Sequence, residues 1–241
     1  VISPEENFSR MFGNAEALTD ERDRRSAKRY GLGEKGSVYG FERHLARLDC
    51  GKEPHEAYHF GWVVEVDPYD PDWQPRKRTA LGRFRHEAAT THVTKGGKVV
   101  MYSGDDARFE YVYKFVCSRP YNPTNRAANR ELMDDGVLYV ARFNEDGTGE
   151  WLPLIHGQGP LTEANGFHSQ ADVVIDARIA ADLLGATKMD RPEDIEVNPV
   201  NRKVYIVCTN NVDRGTAGHA EPDRPNPRAR NAHGHIIEVT E

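Results

Sequence analysis

Short β-rich runs, each closed by glycine, proline, asparagine or aspartate, succeed one another along this chain and constrain its fold more than any other feature. Candidate strands are Gly61–Asp67, Thr79–Phe84, Lys98–Ser103, Tyr111–Val116, Val137–Phe143, Gly149–Leu154, Asp194–Val197, Lys203–Cys208 and His235–Val239. In the first, Trp62, Val64 and Val66 alternate with Glu65 and Asp67. In the fourth, Tyr111, Tyr113 and Phe115 share one face, as the two-residue period of a strand requires. The turns carry their own chemistry: Asn144-Glu145-Asp146-Gly147 separates one pair of strands and Asn198-Pro199-Val200-Asn201 another.

One segment breaks the pattern. Ser169 caps a predicted helix with Asp172 in its first turn, Ile175, Ile179 and Leu183 recur at helical spacing, and Gly185 ends it. A weaker helical stretch runs from about Thr19 to Arg29. The connections Ser118–Arg130 and Asp213–Asn231 are long and aperiodic, which in a compact domain points to a site or a covered surface. An all-β fold is expected, and the succession of strands with irregular insertions fits a β-propeller with an inserted helix better than a sandwich. There is material for about four blades of roughly 40–60 residues each. A partial ring would leave two exposed edges.

The formal net charge of −6 and pI near 6.0 argue against nucleic-acid binding. No apolar run reaches the ~18 residues needed to cross a bilayer. The basic residues Arg76, Lys77, Arg78, Arg83 and Arg85 read as a solvated strand edge, with an anion-steering patch as the alternative. Cys50, Cys117 and Cys208 include no CxxC pair, which excludes a zinc ribbon or thioredoxin-like site. Cys117 and Cys208 close strands and read as small buried apolar residues. There is no GxSxG elbow, Walker loop, HExxH or Rossmann fingerprint.

Four constellations can carry chemistry. Arg85-His86-Glu87 at a strand tip is either a metal ligand beside an anion-binding neighbour or a surface ion pair. Asp190-Arg191-Pro192-Glu193-Asp194 packs three carboxylates around one guanidinium. Such carboxylates repel unless a cation neutralises them, and calcium prefers oxygen ligands; a charged turn is the alternative. Asp105-Asp106, with Glu110 nearby, fits calcium ligands and turn residues equally well. Glu5-Glu6 and the pair His233 and His235 lack metal-ligand spacing and read first as structural.

Taken in order, GWVVEVDPYDP (Gly61–Pro71), KRTALGRFRHEAA (Lys77–Ala89), MYSGDDARFEYVYKFV (Met101–Val116), LYVARFNEDGTGEWLPL (Leu138–Leu154), MDRPEDIEVNP (Met189–Pro199) and ARNAHGHIIEV (Ala229–Val239) resemble the PhoX family of bacterial alkaline phosphatases. The resemblance implies a six-bladed propeller with an iron–calcium cluster at its centre, hydrolysing a small phosphomonoester. It implies metal ligation by Glu87 and Glu193, phosphate contact by Arg191, calcium ligation by Asp105 and Asp106, and a weaker metal candidate in Glu6. It also implies a periplasmic or secreted protein. The chain opens at Val1 without a signal peptide, so either a leader has been removed or residues 1–241 are a partial propeller domain truncated at both ends. Two departures qualify the resemblance. The family's iron-bridging cysteine lies in a segment before its EEN motif, and none of Cys50, Cys117 and Cys208 stands in that context. Ala88 occupies a position where glycine is usual, which is expected to alter backbone approach beside Glu87. Two other functions remain open: a calcium-dependent propeller lactonase, which needs no phosphate-gripping arginine, and a propeller that binds ligands without catalysis.

Overall fold

The computed structural model describes residues 1–241 and holds three antiparallel sheets. The first contains β1 (Ile2–Pro4), β2 (Val63–Glu65) and β3 (Arg76–Lys77), in that order. The second is a five-stranded meander of β4 (Thr90–Val93), β5 (Lys98–Gly104), β6 (Val112–Pro120), β7 (Gly136–Phe143) and β8 (Gly149–Pro153). The third pairs β9 (Pro192–Val197) with β10 (Val204–Cys208) and β10 with β11 (His235–Val239). Three sheets stand where the spacing of strands suggested about four blades.

The central strands β5, β6 and β7 of the second sheet are buried on both faces, and strand alternation sorts their side chains. Val99 and Met101 of β5, and Tyr113, Phe115 and Cys117 of β6, enter a core shared with the helices. Val100, Tyr102 and Val112 enter a second core with Ile195, Val204 and Ile206 of the third sheet. Phe84 stacks between His86 and Tyr113, with ring centroids 3.7 and 4.0 Å away.

Helix α1 (Glu21–Tyr30) starts where the Asp20 carboxylate accepts from the Arg22 and Asp23 amides, and stops at Gly31 in the left-handed region. The predicted helix after Ser169 forms as two pieces, α2 (Gln170–Ile175) and α3 (Ala177–Leu184), which meet at Asp176. Ser169 and Gly185 cap the outer ends as expected. The break is anchored: Asp176 is buried, accepts from Ser26 Oγ at 2.6 Å and lies 3.5 Å from Arg22 Nε.

Thr79–Phe84 is not a strand. Thr79–Leu81 forms a 3-10 turn and Gly82 takes φ +82°, so the chain bends where the apolar residues suggested an extended run. The solvated basic edge holds for Arg76 and Lys77, on the edge strand β3, and fails for Arg78 and Arg83, which are buried. Arg78 pairs with Glu65 and Asp134 at 2.6 and 2.5 Å, and the Arg83 guanidinium lies 3.9 Å from the centroid of Tyr30. Carboxylates and an aromatic face replace the water that these guanidinium groups lose. All three cysteines are free and buried. Burial pushes the thiols of Cys50 and Cys117 up to about 11 and that of Cys208 up to about 12, which suits small core residues.

Gly104 ends β5 and lets the second and third sheets touch. A Cβ there would sit 2.3 Å from the Pro192 carbonyl oxygen and 2.5 Å from that of Glu193. Gly104→Ala is therefore expected to push β9 away, to destabilise the protein by about 1–3 kcal/mol as overpacking does, and to lower whatever activity depends on β9. Urea unfolding of both forms checks the first part; an unchanged midpoint would show that the sheets can part without cost.

Candidate active site

The acids singled out by sequence come from ends of all three sheets. The backbone joins these ends: the His86 amide donates to the Glu5 carbonyl at 3.2 Å, the Glu87 amide to the Gly104 carbonyl at 3.3 Å, and the Asp106 amide to the Arg85 carbonyl at 3.1 Å. Glu6, just past β1, is thereby set beside Glu87, just before β4, and Asp106, just past β5. One carboxylate oxygen from each of these three lies within 4.8 Å of the others.

Three acids this close disfavour full ionisation. The Glu87 carboxyl is pushed up to about 7, first by partial desolvation and then by the charges of Glu6 and Asp106. Glu193 is also raised, by burial and then by Asp106, with Arg191 opposing. The arrangement fits a hard cation, which takes several oxygen ligands and removes the repulsion.

Asp105 and Asp106 divide by strand geometry. Asp105 is fully buried and turns inward, its two oxygens accepting from Arg178 Nη2 at 2.5 Å and Nε at 2.8 Å. That pairing leaves it outside the group of three acids. Its neighbour Asp106 faces the group. Glu110 is likewise committed, gripped by Arg29 at 2.5 and 2.8 Å. His86 is no ligand either: burial pulls it down to about 4, Nδ1 meets Ser103 Oγ at 2.8 Å and Nε2 meets the Gly82 carbonyl at 2.9 Å. His235 is held by Asn231 and the Pro225 carbonyl, which matches its structural reading. Ala88 is buried, and its carbonyl accepts from Ser103 Oγ at 2.5 Å.

Arg191 and Glu193 reach the acids from β9. From the pair Ile206–Ile195 to the pair Cys208–Pro192, β9 advances one residue more than β10, a bulge that re-aims side chains at the strand's start. Arg191 itself has φ +49°, an uncommon conformation for a side-chain-bearing residue and doubly so before proline. Its Nε and Nη2 each donate to Asp106 at 2.9 Å, Nη1 donates to Asn210 at 3.0 Å, and Glu193 lies 3.5 Å from Nη2. A guanidinium has five N–H groups. One on each terminal nitrogen therefore remains beyond these three direct bonds. Against the cost of burial, Asp106 and then Glu193 raise its pKa further, so it stays charged.

Sequence reading set Asp190 among the carboxylates that could hold calcium, whereas the structure buries it beneath Arg191 against Arg214, whose Nε lies 2.5 Å from the carboxylate; Asn210 and Arg214 were not singled out. The only signal was the unusual length of the loop that carries Arg214.

Comparison with known proteins gives the same direction. A family model described as "Alkaline phosphatase PhoX" matches residues 1–241. Among curated protein sequences, none matches significantly. Among solved structures, that of Pseudomonas fluorescens PhoX in complex with vanadate, a transition-state analogue, is similar at a TM-score of 0.92 and 44% identity. The match covers 98% of this chain and 42% of that one, so the chain spans less than half the length of this relative. Because the family model accounts for the chain from its first residue to its last, the chain belongs to the PhoX family of alkaline phosphatases.

Proposed function

We propose that these residues form part of a metal-dependent β-propeller phosphatase that hydrolyses small phosphomonoesters. The observation that carries the reading is the meeting of Glu6, Glu87 and Asp106 with a charged Arg191, in a chain of this family. Glu6, Glu87 and Asp106 hold calcium in this reading, with Glu193 adjoining them; an all-oxygen donor set favours that ion. Iron rests on the family resemblance alone, since no cysteine is among the grouped donors. Bound cations polarise the phosphoryl oxygens and offset the charge that develops during transfer. The chain's own part is to hold the acids in place and to present the two remaining N–H groups of Arg191 to phosphate oxygens. A periplasmic or secreted location follows from the resemblance, and no helix is long and apolar enough to cross a membrane.

The reading is tested on the intact protein with an aryl phosphate and a lactone. Phosphate ester hydrolysis inhibited by inorganic phosphate is expected, without lactone hydrolysis; the reverse pattern would favour the lactonase. Arg191→Lys is expected to weaken inhibition by inorganic phosphate about tenfold, because lysine keeps the charge but loses the two-pronged geometry. Unchanged inhibition would return Arg191 to the role of a charged turn.

A further inference from the structure

Beneath Arg191 the loop that follows β10 grips the segment 188–191 at successive polar points. The Asp190 carboxylate is fully buried and accepts from Arg214 Nε at 2.5 Å, Asn211 Nδ2 at 3.0 Å and Asn231 Nδ2 at 3.1 Å. The Asp190 amide donates to Asn226 Oδ1 at 3.0 Å. Arg214, itself fully buried, donates through Nη2 to the Lys188 carbonyl at 2.5 Å. The Thr209 amide donates to the Arg191 carbonyl at 3.1 Å. The loop closes on itself through the Asn211 amide and the Asn231 carbonyl at 2.7 Å.

This is more than a loop needs to cover a surface. A buried carboxylate taken by three donors makes a rigid node, since losing any donor leaves charge uncompensated in a dry interior. The node lies directly before a residue in a left-handed conformation and a proline, so it can hold the strained backbone of Arg191 in place. At the top of the same loop Asn210 meets the side chain, its Oδ1 accepting from Arg191 Nη1 at 3.0 Å. Asp106 holds the opposite side of the guanidinium through Nε and Nη2. Held from two sides, the plane of the guanidinium cannot swing, and its two remaining N–H groups keep one direction, with Glu193 3.5 Å from Nη2.

We propose that Asn210 is a positioning residue for Arg191, fixing the guanidinium that receives the substrate's phosphate and held in register by the Asp190–Arg214 node. The inference rests on the reading of Arg191 as the phosphate contact. A preorganised fork binds phosphate without first losing rotamer freedom, so removing Asn210 acts on binding. Asn210 is half-buried and outside the buried node, so its truncation leaves the core whole.

The test is a double-mutant cycle in the intact protein, with Asn210→Ala, Arg191→Ala and both together, following KM and kcat for an aryl phosphate and inhibition by inorganic phosphate. Asn210→Ala is expected to raise KM and weaken phosphate inhibition by roughly three- to tenfold, with kcat changed less and the melting temperature retained. In the Arg191→Ala background the same change should have no further effect, because Asn210 acts through the residue already removed. No change in KM on Asn210→Ala, or an equal change in both backgrounds, would overturn the proposal. If Arg191→Ala alone leaves KM and phosphate inhibition unchanged, the phosphate reading of Arg191 fails and the proposal falls with it. That outcome is separately visible in the cycle.

Discussion

Chelating divalent cations from the intact protein is expected to lower its melting temperature by about 5–10 °C and to abolish phosphatase activity. Glu6, Glu87 and Asp106 place oxygens within 4.8 Å of one another, with Glu193 beside them and only Arg191 to offset their charge. A cation that binds this arrangement and not the unfolded chain stabilises it by about 2.7 kcal/mol at a hundredfold excess over its dissociation constant. For a domain of this size each kcal/mol moves the midpoint by about 2–4 °C. The effect has a pH signature. The folded-state pKa of Glu87 is raised to about 7, so the cation-free protein favours the protonated acid. That contribution is complete below the ordinary glutamate range and is lost as pH rises through 7. Protons also compete with the cation over the same window. Chelation should therefore cost more stability at pH 8 than at pH 5. Thermal melts with and without chelator at both pH values check this; coincident midpoints at pH 8 would remove the metal from the site.

Glu87→Gln should reduce kcat/KM on an aryl phosphate by about a hundredfold or more while leaving the fold intact. Glu87 is exposed, so the substitution disturbs no core. Glutamine keeps its shape but removes the charge that a cation requires. Displacing a catalytic centre by about 1 Å can cost about a hundredfold in rate. Circular dichroism and a melting curve in excess calcium would establish the fold, and steady-state kinetics the loss. Activity within a fewfold of the parent protein would mean that Glu87 is a surface acid with no part in the chemistry.

Sequence patterning carried most of the second and third sheets and both ends of the helical insertion, though not its break at Asp176. Lys98–Ser103, Tyr111–Val116 and Val137–Phe143 differ from β5, β6 and β7 only at their ends, because alternation along a strand is local and needs no partner to be read. Ser169 and Gly185 were legible for the same reason, as caps act on backbone groups within a turn. Ile2–Pro4, Arg76–Lys77 and Thr90–Val93 were missed, being too short to show a period. Thr79–Phe84 misled because its apolar residues suit a strand, while Gly82 turns the chain.

The site divides along the same line. Sequence alone, through composition and the family's motifs, put Glu87, Glu193, Asp105, Asp106 and Arg191 forward and set Glu6 lowest among the acids. Only the tertiary structure could raise Glu6 to an equal partner of Glu87, since the two are 81 positions apart and meet through the bond between His86 and Glu5. It alone separated Asp105 from Asp106, two identical side chains in succession, by giving one to Arg178 and the other to Arg191. Neither partner is near in sequence, and the buried node of Asp190 and Arg214 is equally non-local. Alternation and capping depend on neighbours within about four residues, and a chain writes those rules into itself. Which carboxylates come together, and which guanidinium each one meets, depends on how closely distant backbones approach, and at Gly104 that distance is decided by packing between two sheets.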